Sequence, residues 1–159
     1  MNKERLTDTD KLFEAASRRW DQGQLEEARK LFLFAAENGD VSSQVNMGVF
    51  CEAGFAGPKD IAGALRWYRK AARAGNVSAY LNIADLYRKC GNRRRTLFWL
   101  HRAAKQGDGE GQLALAKELL QGRAANARKR AKKLLKQVGE SRSVSEDGRV
   151  EAAAILSKL

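Results

Sequence analysis

A short motif returns three times along this chain. Ala35-Ala36-Glu37-Asn38-Gly39-Asp40 is repeated as Ala71-Ala72-Arg73-Ala74-Gly75-Asn76 and again as Ala103-Ala104-Lys105-Gln106-Gly107-Asp108. The glycines stand 36 and then 32 residues apart, and a further 32 reaches Gly139. Eight residues after each of the first three glycines comes an apolar residue followed by a small one: Met47-Gly48, Ile83-Ala84, Leu115-Ala116. Four residues before each alanine pair stands a bulky pair: Leu31-Phe32, Trp67-Tyr68, Trp99-Leu100. Self-similarity at such a period marks an array of one supersecondary unit, in which each copy buries its apolar face against its neighbours.

Each copy reads as two helices. Ala28, Leu31, Phe32, Ala35 and Ala36 follow the i, i+3, i+4, i+7, i+8 stripe of an amphipathic helix, and Ala127, Ala131, Leu134, Leu135 and Val138 repeat it. Glycine after each alanine pair suits the left-handed turn that ends a helix. The small residues Gly48, Ala84 and Ala116 allow a partner helix to approach closely. These signals predict helices near 8–21, 24–38, 41–54, 60–74, 77–90, 93–106, 110–121 and 124–138, with a capping helix near 149–158. The expected fold is all-α: a right-handed solenoid of about four helix-turn-helix repeats (9–40, 41–76, 77–108, 109–139) in a single domain over 1–159.

Composition narrows the chemistry. One histidine and two cysteines cannot furnish the four ligands of a Cys/His zinc site, and no disulfide framework is possible. The charge is polarised. Residues 1–60 hold 8 basic and 11 acidic side chains, residues 61–139 hold 19 and 4, and residues 140–159 hold 3 and 4. A net +15 concentrated in the middle segment points to an acidic partner. Neither a secretory leader nor a membrane-length apolar run is present in the sequence, so a cytoplasmic protein with reduced Cys51 and Cys90 is expected.

The run Met47-Gly48-Val49-Phe50-Cys51-Glu52-Ala53-Gly54, then Pro58-Lys59-Asp60, then Ala64-Leu65-Arg66-Trp67-Tyr68-Arg69-Lys70-Ala71-Ala72 resembles the Sel1-like repeat (SLR), a branch of the tetratricopeptide superfamily. The second copy carries the motif best, and the fourth has lost its aromatics. Cys51 stands where the family has tyrosine, and in Gly54-Phe55-Ala56-Gly57 the second glycine is displaced by one. The resemblance implies a partner-binding groove lined by the first helix of each unit. Carried over by position, the groove would present Arg18 and Asp21; Val45, Val49 and Glu52; Leu81, Asp85, Arg88 and Lys89; and Leu113, Lys117 and Leu120. That mixture of apolar and doubly signed residues fits a protein or peptide better than a phosphate backbone.

The remaining site-like features are weaker. His101 aligns with Arg69 and Leu33 and is expected on a solvated outer face. Cys51 reads as a packed thiol and Cys90 as a helix-end residue before Gly91; neither has a neighbouring histidine to activate it. Gly107-Asp108-Gly109-Glu110-Gly111 follows a helix rather than a strand, so it lacks the context of a dinucleotide loop. Trp20, Trp67 and Trp99, with Phe32, Tyr68, Tyr87 and Phe98, are expected in the core rather than on a platform for stacking bases, and Trp67 and Trp99 recur at packing positions. A basic patch of Arg93, Arg94, Arg95, Arg123, Arg128, Lys129, Arg130, Lys132, Lys133 and Lys136 remains, and the first three open a helix, where its dipole disfavours cations.

The expected function is a non-enzymatic protein-interaction module. The resemblance implies a bacterial adaptor or a cognate inhibitor (immunity protein) of a secreted toxin, with a dedicated, partly acidic protein partner and with neither cofactor nor metal. The alternative is an RNA- or DNA-binding helical-repeat protein acting through the basic repeats. Membrane attachment is disfavoured, because the basic helix lacks Trp or Phe on its apolar face.

Overall fold

The computed structural model describes residues 8–122, 124–141 and 144–159. These form nine α-helices and no strand: α1 (Asp8–Asp21), α2 (Leu25–Glu37), α3 (Val41–Ala53), α4 (Ile61–Arg73), α5 (Val77–Lys89), α6 (Arg93–Lys105), α7 (Gly109–Leu120), α8 (Ala125–Glu140) and α9 (Glu146–Leu156). From the second repeat on, the start of each repeat is set by a side-chain cap. Asp40, Asn76, Asp108 and Ser145 accept from the backbone N–H three residues on, satisfying a donor the helix itself leaves open. Its end is set by Gly39, Gly75 and Gly107, whose φ values of 96°, 83° and 75° lie in the left-handed region.

The chain divides into two compact units, Met1–Ala79 and Tyr80–Leu159. In the first, α1 packs on α2, α2 on α3 and α3 on α4. Its core holds Ala16, Ala28, Phe32, Ala36, Met47 and Phe50. Trp20 edges onto Phe50 and Phe32 with ring centroids 4.8 and 5.8 Å apart, the perpendicular geometry that aromatic quadrupoles favour. Between α3 and α4, Gly48 faces the Tyr68 ring so closely that a Cβ would overlap it. In the second unit α6 packs on α7, α7 on α8, and α9 on both α8 and α7. Leu100, Leu113, Leu115, Leu135 and Val138 fill its core.

The second member of each bulky pair is the buried one. Phe32, Tyr68 and Leu100 are buried, whereas Leu31, Trp67 and Trp99 are half-buried. The same position returns at Leu135, 35 residues after Leu100 and fully buried. This corrects the expectation of a fourth turn at Gly139. That glycine falls on the second alanine of the motif, not on its glycine, and α8 runs through it to Glu140. The matching turn position is 142, outside the described residues. The capping helix is likewise in register. Ala152 lies 36 residues after Ala116, both are fully buried, and α9 therefore occupies the place of the first helix of a further unit. It starts three residues earlier than expected, at Glu146 after the Ser145 cap.

Candidate partner-binding surfaces

The groove positions inferred from the sequence separate into three groups. On unit one, Arg18 and Asp21 are exposed on α1, while Val45, Val49 and Glu52 are half-buried on α3. Tyr68 donates its hydroxyl to Glu52 Oε2 at 3.0 Å, so this carboxylate is held by the core rather than left free. On unit two, Leu81 packs on the core and Asp85 stands between Arg88 and Lys89 at 2.9 and 2.8 Å. Arg88, Leu113 and Lys117 share a cavity of about 380 Å³ with Glu110, Ala114, Glu118, Gln121 and Glu151. Leu113 is only 3% exposed and serves as its floor. The physical reason is that α7 is covered by α6, α8 and α9 together. Leu120 stands apart, lining a different cavity of about 550 Å³ beside Gly122, Arg128 and Leu159.

Glu118, which the sequence reading missed, organises the larger group. Its side chain is 3% exposed, yet it accepts from Arg88 Nε at 3.1 Å and lies 3.5 Å from Arg93 Nε. Arg93 also donates to the Glu118 main-chain carbonyl at 3.1 Å. A buried carboxylate is tolerated only when paired and hydrogen-bonded. Here the two guanidiniums come from α5 and α6, so the ion cluster ties both helices to α7 at the lip of the cavity. Lys117 completes the wall through Glu151 at 2.7 Å.

The basic patch is not one surface. Arg93 is committed to Glu118. Arg95 donates to the Tyr87 hydroxyl at 3.3 Å and lies over that ring, its guanidinium carbon 5.1 Å from the centroid. Arg128 and Lys132 donate to the Leu159 main-chain oxygen at 3.1 and 2.7 Å. Arg94, Lys129, Arg130, Lys133 and Lys136 are exposed with no ion pair among the described residues. Arg123 lies outside the described residues.

His101 is half-buried and donates from Nδ1 to the Leu97 carbonyl at 2.7 Å, a local bond along its own helix. Cys51 is half-buried, and burial, with Asp60 adding, pushes its thiol above the ordinary range. Cys90 is exposed. Among the described residues no cluster of His, Cys, Asp and Glu is arranged to hold a metal, and no helix is long and apolar enough to cross a membrane.

A family model described as the Sel1 repeat matches residues 22–40, 41–76 and 78–108, more than half of the chain. The chain belongs to the Sel1 repeat family. Its fold is similar to two solved SLR structures. One is c5321, a protective antigen present in uropathogenic Escherichia coli strains, with a TM-score of 0.76 and 28% identity over 84% of this chain and 30% of that one. The other is a Sel1 repeat protein from Oxalobacter formigenes, with a TM-score of 0.74 and 27% identity over 94% of this chain and 61% of that one. The chain thus spans less than two thirds of either neighbour. No curated protein sequence matched it.

Aligned on the Sel1 register, Glu118 occupies a position held by Phe50 and Leu86 in the two preceding units, both buried. An acid at a core position of the repeat was the available signal. Phe98 shows the opposite exchange. It stands two residues before buried Leu100, where the two preceding Sel1 units carry Lys30 and Arg66 and the α8 helix carries Lys133, and it is 54% exposed.

Proposed function

We propose that this Sel1 repeat chain is a non-enzymatic protein-interaction module with one dedicated, partly acidic protein partner, acting as an adaptor or as a cognate inhibitor. Sel1 repeats are generally protein-interaction modules. The observation that carries the reading for this chain is the wall of alternating charge over an apolar floor in unit two. Arg88, Glu110, Lys117 and Glu151 surround Leu113, Glu118 holds Arg88 in place, and Asp85 pairs with Arg88 from outside the cavity lining. Preformed, oppositely charged side chains around an apolar centre give orientation as well as affinity, and the basic excess steers an acidic partner inward. The test is affinity co-purification at physiological salt followed by lysine cross-linking. A stoichiometric protein whose cross-links fall on Lys89 and Lys117, and which is lost with Asp85→Ala/Lys117→Ala, supports the reading. A partner whose own activity is lost on binding makes the chain an inhibitor; one that the chain joins to a third protein makes it an adaptor. Absence of any stoichiometric protein counts against both.

A second reading, nucleic-acid binding, rests on Lys129, Arg130, Lys133 and Lys136, exposed together along α8. Binding of this kind weakens steeply with salt, with a slope that scales with the phosphates neutralised. Reversal of Lys129 and Lys133 to Glu should abolish a mobility shift, and no shift at physiological salt removes the idea.

A further inference from the structure

We propose that α6 carries its own docking site, in which an acidic protein segment seats one large apolar side chain on Phe98 between Arg94, Arg95 and Arg102. The proposal rests on the protein-partner reading above and names the chemistry of what is bound.

Three observations converge. First, the fold does not ask for Phe98. The repeat register puts a solvent-facing cation at this position in every other unit, and Lys30, Arg66 and Lys133 are all exposed. An aromatic ring substituted into a position that packing leaves open is available to something outside the unit. Second, the ring is flanked by positive charge that is already in place. The Arg102 guanidinium carbon lies 5.6 Å from the Phe98 centroid, 5.6 Å from that of Trp99 and 5.7 Å from that of Tyr80. Tyr80 and Trp99 stack on each other at 5.9 Å, and Trp99 holds Phe98 edge-on at 5.3 Å. Arg102 therefore rests among three rings, which limits its rotamers before any ligand arrives and lowers the entropy lost on binding. Arg95 is similarly placed by Tyr87. Third, Asn92, Arg94, Arg95 and Phe98 line a cleft of about 520 Å³. Helix α6 contains five arginines and lysines and no acid, so the face is unbalanced as it stands.

One apolar anchor inside a ring of arginines is the complement of a peptide with a single apolar side chain flanked by carboxylates, since arginine engages a carboxylate through two parallel N–H bonds. A single-stranded nucleic acid fits less well, because its platforms stack successive bases on several aromatic faces. Phe98 is the one large aromatic more than half exposed among the described residues of unit two.

The test is selection of a displayed library of random dodecapeptides on the full chain at physiological salt, followed by titration of labelled enriched peptides. The expected consensus is one Leu, Phe or Trp flanked by Asp and Glu. Its affinity should fall about ten-fold or more with Phe98→Lys, which restores the residue type of the register and so keeps the fold, and with Arg94→Glu/Arg102→Glu. An all-acidic peptide without the apolar residue should bind at least as weakly as the anchored peptide binds Phe98→Lys. Peptides lost with Lys117→Ala but indifferent to Phe98→Lys leave the interaction-module reading standing and overturn this site. Enrichment of nothing on any face overturns both. A mixed-sequence DNA oligonucleotide that outcompetes the peptides and is lost with Arg94→Glu overturns the peptide in favour of nucleic acid.

Discussion

Glu118 offers the sharpest test of how unit two is held. Its carboxylate is 3% exposed while the side chains of its partners Arg88 and Arg93 are 41% and 48% exposed. Removing one member of a fully buried ion pair costs about 3–5 kcal/mol, because a charge is left in a poor medium. Here the charges left behind are half in water and can be rehydrated, so that limit does not apply. What is lost is one charge-assisted hydrogen bond, worth about 1.5–3 kcal/mol, plus a longer contact to Arg93, discounted for the exposed donors. Glu118→Gln is therefore expected to cost about 1–3 kcal/mol. The melting temperature should fall by roughly 2–4 °C for each of these kilocalories in a chain of this size. Glu118→Leu restores the apolar residue type that the register carries at Phe50 and Leu86. It removes the buried charge as well as the pair, and should lie within about 1 kcal/mol of wild type. Urea unfolding followed by circular dichroism, with an unchanged slope, measures both. In a double-mutant cycle, Glu118→Gln and Arg88→Met should couple by about 0.5–3 kcal/mol. Additivity of the two, or a Leu variant as damaged as the Gln variant, would show that burial and not pairing fixes this residue.

Three further outcomes follow from local geometry. Gly48→Ala places a methyl group in the Tyr68 ring and should cost about 1–3 kcal/mol despite the better helix propensity of alanine. Adding Tyr68→Leu should recover part of that loss, as read by thermal unfolding. Ala56 adopts a φ of 51°, in the connector where the resemblance puts the second glycine one residue earlier than Gly57. Ala56→Gly should therefore raise stability by about 0.5–1 kcal/mol, the relief of left-handed strain exceeding the entropy cost of glycine. A fall in the urea midpoint would refute this. Burial raises the folded-state pKa of the Cys51 thiol above its unfolded value, so the stability it contributes is complete below the unfolded pKa and is lost as pH rises through the folded one. Iodoacetamide should modify Cys90 well before Cys51, and Cys51→Ala should flatten the alkaline fall in stability. Equal labelling rates would contradict the burial.

Most of the helix boundaries were readable because an amphipathic stripe and a glycine that accepts left-handed φ coincide at the repeat turns, where Asp40, Asn76 and Asp108 also cap the next helix. Where only one of them was used, the reading slipped. The fourth turn was counted from glycine to glycine and landed on Gly139. The buried position at Leu135, which packing enforces, sets the true period, and Gly139 merely replaces an alanine inside α8. The groove fared similarly. Fixed offsets from Ile83 and Leu115 picked out Arg88 on α5 and Lys117 on α7, which line one cavity together with Leu113. At the corresponding offset Leu113 is nearly buried, on a helix against which α6, α8 and α9 all pack.

Glu118 was missed and Phe98 was expected in the core, whereas it is 54% exposed, for a related reason. Composition and periodicity ask whether a residue type suits a helix; they do not ask whether it suits its place in the repeat. Both residues are unremarked in isolation and anomalous in register, one an acid among core hydrophobics and the other a ring among surface cations. Together they also change what the +15 segment means. Part of that charge neutralises Glu118 through Arg88 and Arg93, and part is spent on the Leu159 oxygen through Arg128 and Lys132. What is left includes one set around Phe98 on α6 and one along α8, besides the exposed Arg69, Lys70 and Arg73 of α4. A continuous phosphate track requires an unbroken run of free cations. Basic residues interrupted by internal ion pairs, with a single exposed ring in one of the remaining sets, therefore support the proposed protein partner over a nucleic acid.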